Sequence, residues 1–161
     1  MSVKIVIFGN SGAGKSTLAQ KIAHEENLPS LDLDTLAWKK DVSPPERRCL
    51  DDSISQIRKF TARHTSWVIE GCYSDLLSVV LPKSTEVIFL NPGVETCIHN
   101  CRQRPWERHK YSSSAAQDRK LDMLIAWVKA YESRKDEFSL SSHRRLFKTH
   151  AGSKREVTSL S

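Results

Sequence analysis

The chain has 161 residues, a formal charge of +6, 39% hydrophobic and 27% charged residues. That is the size of a single domain whose core needs neither disulfides nor a metal as staples, and its composition excludes wholesale disorder. No stretch approaches the roughly 18 apolar residues of a membrane span, and the apolar run in MSVKIVIFGN is too short for a secretory signal, so a cytoplasmic protein is expected.

Val3 to Phe8 is a short β-branched and apolar run, the profile of a buried strand. It runs into GNSGAGKST, after which Leu18, Ile22 and Ala23 recur at helical spacing as far as Asn27-Leu28-Pro29. Ser30 to Leu33 predicts a second strand, and Glu46 to His64 a helix with Ile54, Ile57 and Phe60 on one face. Trp67 to Glu70 predicts a third strand, broken by Gly71, and Glu86 to Leu90 a fourth, stopped by Asn91-Pro92-Gly93. A helix is expected over Val94 to Gln103, then a polar loop to about Ala115, then a helical stripe of Leu121, Leu124, Ile125 and Val128. Arg145 to Lys148 reads as the last strand, and the tail from Gly152 to Ser161 as a short helix or frayed chain. Alternating β and α segments, with no linker or repeat, predict one α/β domain whose parallel sheet is covered on both faces.

The strongest motif is Gly9-Asn10-Ser11-Gly12-Ala13-Gly14-Lys15-Ser16, followed by Thr17, which fits G-x-x-x-x-G-K-[ST]. Its glycines let consecutive backbone N–H groups turn inward around a phosphate, and the helix starting near Lys15 adds its positive end. Lys15 is expected to reach the β- and γ-phosphates of ATP, and the Ser16 hydroxyl to ligate Mg²⁺. A chance match in a chain of this length is about 0.5% at average composition.

From this loop onward the chain resembles the small P-loop kinases that include the adenylate, shikimate and gluconate kinases. It looks closest to the topology-modulation proteins, an adenylate-kinase-like branch. The resemblance is carried by GNSGAGKST, by LDLDTLAWKK (31–40), by SWVIEGCY (66–73) and by EVIFLNPG (86–93). It implies a three-layer fold with five parallel strands in the order 2-3-1-4-5 and a small lid at about 102–120.

Asp32 and Asp34 alternate at the end of the second predicted strand, on the sheet edge where open α/β folds bind ligands. Asp34 is the better candidate, and in proteins that this chain resembles an aspartate there orients an acceptor hydroxyl or helps to hold Mg²⁺. A helix-capping role for Asp34 stays open beside it. Glu70, at the end of the third strand, falls where adenylate kinases carry an aspartate that supports Mg²⁺. The expected metal set is thus Ser16, Asp34 and Glu70.

The positive charge is uneven: residues 1–80 carry 10 basic and 10 acidic groups, and residues 81–161 carry 15 and 9. The segment 102–120 alone holds six basic groups against two acidic ones. Phosphoryl transfer spreads negative charge over equatorial oxygens, and positioned guanidinium groups stabilise it. Arg102, Arg104 and Arg108 are the candidates, Arg104 and Arg108 foremost, with His109 and Lys110 as helpers. Trp106 is placed to stack on a base or an arginine, or to plug the loop, and Trp127 to pack in the core. The Ala151-Gly152-Ser153-Lys154 turn is expected after the last strand, where similar kinases wrap adenine. Cys49, Cys72, Cys97 and Cys101 are scattered, and without further ligands at zinc spacing they read as ordinary reduced cysteines.

Together these features predict a kinase that moves the γ-phosphoryl of ATP to a small acceptor, a nucleoside, nucleotide or hydroxylated metabolite. The alternatives are a regulatory NTPase acting on a partner and a nucleic-acid binder using the basic second half. The absence of a helix-turn-helix or zinc-finger pattern, and a charge excess concentrated in the lid, favour phosphate handling over nucleic acid.

Overall fold

Lys4–Gly9 (β1) is the central strand of the sheet in the computed structural model, which describes residues 2–159. Its run of Ile, Val and Phe suits it, because a parallel strand with helices on both faces has no polar side. It pairs in parallel with Trp67–Gly71 (β3) on one side and with Glu86–Leu90 (β4) on the other. Ser30–Asp32 (β2) lies outside β3 and Lys154–Val157 (β5) outside β4, so the five strands run β2-β3-β1-β4-β5, all parallel.

Alternate residues of β1 feed two cores. Val6 and Phe8, with Ile69, Val87 and Phe89, pack toward Leu50–Arg63 (α3), Ser74–Val80 (α4) and Leu140–Thr149 (α8). Ile5 and Ile7, with Val68, Ile88 and Leu90, pack toward Lys15–Glu26 (α1), Val94–Gln103 (α5) and Leu121–Lys129 (α7). The result is a helix–sheet–helix sandwich with β1 buried at its centre. Two short helices, Asp34–Ala37 (α2) and Ser114–Arg119 (α6), sit in the connections.

The chain differs from the sequence reading at several places. The strand expected at Arg145–Lys148 is instead part of α8, capped by the Ser139 hydroxyl, which accepts from the Ser142 N–H at 3.1 Å. Leu140, His143, Leu146 and Phe147 form its inward face, and the buried histidine hides that stripe when histidine is counted as polar. The true last strand, β5, is a polar, half-exposed edge, so the Ala151–Lys154 turn precedes it rather than follows. The tail expected as a short helix or frayed chain thus holds β5, and Leu160 and Ser161 lie outside the described residues. The helix expected from Glu46 begins only at Leu50, because residues 37–48 fold back as a pair of short extended arms, with Lys39 donating to the Glu46 carbonyl and Arg48 to that of Ala37. Helix α4, which the apolar pattern does not mark, follows β3 directly.

Candidate active site

The phosphate-loop motif spans the end of β1 and the start of α1, with its backbone held from behind. The Asn10 side chain donates to the Val128 carbonyl of α7 at 3.3 Å, and Asn100 of α5 donates to the Gly12 carbonyl at 2.8 Å. Gly12 has φ +82°, and a Cβ there would lie 2.3 Å from the Cys97 carbonyl oxygen and 2.8 Å from Cys101 Sγ. Only glycine fits that conformation against that helix. Cys97 and Cys101 are thus the floor beneath the loop. Gly14 caps α1 in the left-handed region at φ 95°, and Lys15 donates to the Asn10 carbonyl at 2.8 Å, its ammonium folded over the loop. Thr17 is exposed on the first turn.

Across from the loop lie the ends of β2 and β3. Asp32 and Glu70 are register partners, and the Ser16 hydroxyl donates to Glu70 Oε2 at 2.9 Å. Glu70 is buried, and burial pushes its carboxyl up to about 8, with Lys15 opposing that rise and Asp32 and Asp34 adding to it. At neutral pH it is therefore mostly protonated in the absence of a cation. Hydroxyl and carboxyl oxygens at the mouth of the phosphate loop are the hard donors that Mg²⁺ takes. Among the described residues no three His, Cys, Asp or Glu side chains form a closed cage, so Ser16 and Glu70 offer a half-site suited to a cation shared with phosphate oxygens and water.

Asp34 is not on the strand: β2 ends at Asp32, and Asp34 opens the one-turn helix α2. Its backbone N–H donates to Asp32 Oδ1 at 2.9 Å, so the capping side chain is Asp32 rather than Asp34. Both Asp34 oxygens are engaged: Oδ1 accepts from the Tyr73 hydroxyl and Oδ2 from Lys110 Nζ at 2.7 Å. Burial alone would raise this carboxyl, but Lys110 and the Tyr73 hydrogen bond hold it below its ordinary value. Lys110 is likewise opposed by burial and held above its ordinary value by Asp34, Asp32 and Glu107. Tyr73 accepts in turn from the Trp38 indole N–H at 2.8 Å.

Neither foremost lid arginine reaches these carboxylates. Arg104 pairs with Glu107 at 3.8 Å, and Arg108 lies 5.0 Å from the centre of the Trp106 ring, the arginine-stacking option for that tryptophan. Lys110 is the lid cation that meets the strand ends. Trp127 is half-buried between the two cores, with the Arg134 guanidinium on its face. Sequence reading missed Tyr73 as the partner of Asp34 and Trp38 as the donor behind it, since an aromatic ring near a strand or helix end carries no chemical signature of its own. It also missed Arg47, which bridges Asp75 at 3.2 Å and Glu137 at 3.1 Å and lies over Tyr73.

A strand, a phosphate loop and a helix at the centre of a parallel sheet ordered 2-3-1-4-5 decide the architecture. This is the P-loop NTPase fold. No protein-family model and no curated protein matches the chain. Among solved structures it is similar to a shikimate kinase from Acinetobacter baumannii in complex with shikimate, at 16% identity and TM-score 0.49, covering 92% of this chain and 90% of that one. It is similar also to a gluconokinase from Sinorhizobium meliloti 1021, at 17% identity and TM-score 0.48, covering 92% and 98%. An uncharacterized protein from Eubacterium ventriosum shares 21% identity at TM-score 0.47, covering 97% and 90%.

Proposed function

We propose that this protein is an ATP-dependent small-molecule kinase of the adenylate- and shikimate-kinase-like group, affiliated with the topology-modulation branch. The observation that carries the reading is the pairing of Ser16 with a buried glutamate at the phosphate loop, facing a second, ionised carboxylate at Asp34. One acidic group that needs a cation and another that stays charged beside it suit phosphoryl transfer to a hydroxyl, the first for a metal and the second as a base.

In this reading the backbone of Gly9–Thr17 cradles the phosphates and Lys15 leaves the Asn10 carbonyl for the β- and γ-oxygens. Ser16 and Glu70 would hold Mg²⁺, with Asp34 as the further carboxylate near it, and the ion would supply charge neutralisation along the phosphates. Asp34 orients an acceptor hydroxyl and accepts its proton, while the rigid Trp38–Tyr73 pair fixes the carboxylate's direction. Lid cations, Lys110 with Arg104 and Arg108, close over the charge that develops. Catalysis is then positioning and electrostatics.

The test is ADP release from Mg-ATP across nucleosides, nucleoside monophosphates, shikimate, gluconate and other polyols, with Lys15→Ala as the blank. Stimulation by one acceptor class that vanishes in Lys15→Ala supports the kinase and names its substrate. Lys15-dependent hydrolysis that no acceptor stimulates favours a regulatory NTPase instead. Absence of ATP binding refutes the reading.

A further inference from the structure

The lid is braced on itself. The Glu107 N–H donates to Gln117 Oε1 at 2.8 Å, Gln117 Nε2 donates to the Pro105 carbonyl at 3.0 Å, and the Trp106 indole N–H donates to the Tyr111 carbonyl at 3.0 Å. Among the described residues, the ion pairs that leave the lid for the strand ends are those of Lys110, at 2.7 Å from Asp34 and 3.9 Å from Asp32.

Each Asp34 oxygen already accepts one hydrogen bond, from Tyr73 on Oδ1 and from Lys110 Nζ at 2.7 Å on Oδ2. A carboxylate oxygen can accept a second, but an acceptor hydroxyl that donates to Asp34 must compete for space and charge with one of these two partners. Tyr73 is 2% exposed and fixed by Trp38, whereas Lys110 rides on an external loop. The partner free to leave is Lys110.

We propose that Lys110 is a latch and a positioning residue: its ammonium holds the lid on Asp34 at the place an acceptor hydroxyl must take, and acceptor entry frees it for the phosphoryl group. This rests on the kinase reading for its role, though the latch itself does not. In the transfer that follows, the acceptor oxygen bonds to the γ-phosphorus and the bond from that phosphorus to the β,γ-bridging oxygen breaks. The hydroxyl proton passes to the vacated Asp34 Oδ2, and ADP leaves.

Hydrogen exchange read by mass spectrometry over 104–120 tests the latch without nucleotide or acceptor. A charge-assisted contact of this kind predicts lid exchange about tenfold faster in Lys110→Met, and equally so in Asp34→Asn. The double variant should exchange no faster than either single one, and Lys110→Arg should restore protection. A lysine that merely packs in the lid would give faster exchange in Lys110→Met with none in Asp34→Asn, and that result overturns the proposal. So would additive effects in the double variant. Faster, non-additive exchange together with a flat acceptor panel would retain the latch and refute only the kinase reading.

Discussion

Replacing Glu70 by glutamine separates what its carboxyl costs the fold from what it gives the site. Glu70 is 4% exposed, and burial lifts it from an ordinary 4.5 to about 8. The folded protein therefore binds a proton that the unfolded chain has already released between those values. Stability is full below about pH 4.5 and falls as pH rises toward 8, by up to about 1.4 kcal/mol per pH unit and about 3–5 kcal/mol in all. Glutamine keeps the shape and the acceptor for Ser16 and never ionises. The expected result is a Glu70→Gln variant close to wild type near pH 5 and about 3–5 kcal/mol more stable at pH 8.

Urea unfolding of both proteins every half unit from pH 5 to pH 8.5, without nucleotide or Mg²⁺, gives the difference directly. Other titrating groups, His143 among them, are common to both proteins and cancel. A stability difference that stays level across that range would refute the claim that Glu70 holds a proton in the resting state. If Glu70 holds the cation as proposed, the same variant should lose most Mg²⁺-dependent nucleotide affinity, because glutamine cannot ionise for it. A residue that stabilises the fold when neutralised and supports binding when charged is one retained for function.

Wild-type protein at pH 7 should release about one proton per chain on binding Mg-ATP, seen by calorimetry in buffers of different ionisation enthalpy, and Glu70→Gln should release none. Gly12→Ala should cost about 2–4 kcal/mol in thermal unfolding and abolish nucleotide binding, since a Cβ at φ +82° meets the Cys97 carbonyl oxygen at 2.3 Å. The buried His143, which hydrogen-bonds the Cys72 carbonyl and the Tyr131 hydroxyl, is held neutral by burial with its pKa lowered to about 4. Stability it contributes is present above pH 6.5 and lost as pH falls toward 4, by up to about 3 kcal/mol, and His143→Gln should flatten that acid limb in chemical unfolding.

The parts of the molecule legible in the sequence are those whose chemistry leaves few alternatives. Four strands and the helix Val94–Gln103 follow from β-branched runs and apolar spacing, and the phosphate loop from glycines that no other residue replaces. The last strand is not legible because this edge strand pairs on one side only and opens with three charged residues, Lys154, Arg155 and Glu156, leaving no apolar alternation to read. Helix α8 was mistaken for it because its inward face includes His143, whose polarity is hidden only when both ring nitrogens find partners. In the lid, charge was legible but direction was not. Six basic residues lie between 102 and 120, and in the braced lid Lys110 points inward to Asp34 while Arg108 rests on the Trp106 indole, a difference that nothing in the letters marks.

The carboxylates of Asp34 and Glu70 illustrate the same point in energetic terms. As letters they are equivalent acids near the ends of short predicted strands. Their environments drive them apart: Asp34 has an ammonium and a phenol on its two oxygens, whereas Glu70 has one hydroxyl, a neighbouring acid and no cation of its own closer than the phosphate-loop lysine. One is held ionised by its neighbours; the other is held protonated by burial, and in the proposed reading it would ionise only when a cation brings compensation. If both were ionised at rest, mutual repulsion in a buried site would cost stability. If both were protonated, the proposed kinase would have no base for an acceptor's proton. The separation fits the proposed division of labour, a metal nucleotide held on one side and a hydroxyl activated on the other, a division that side-chain contacts create and residue identity alone does not reveal.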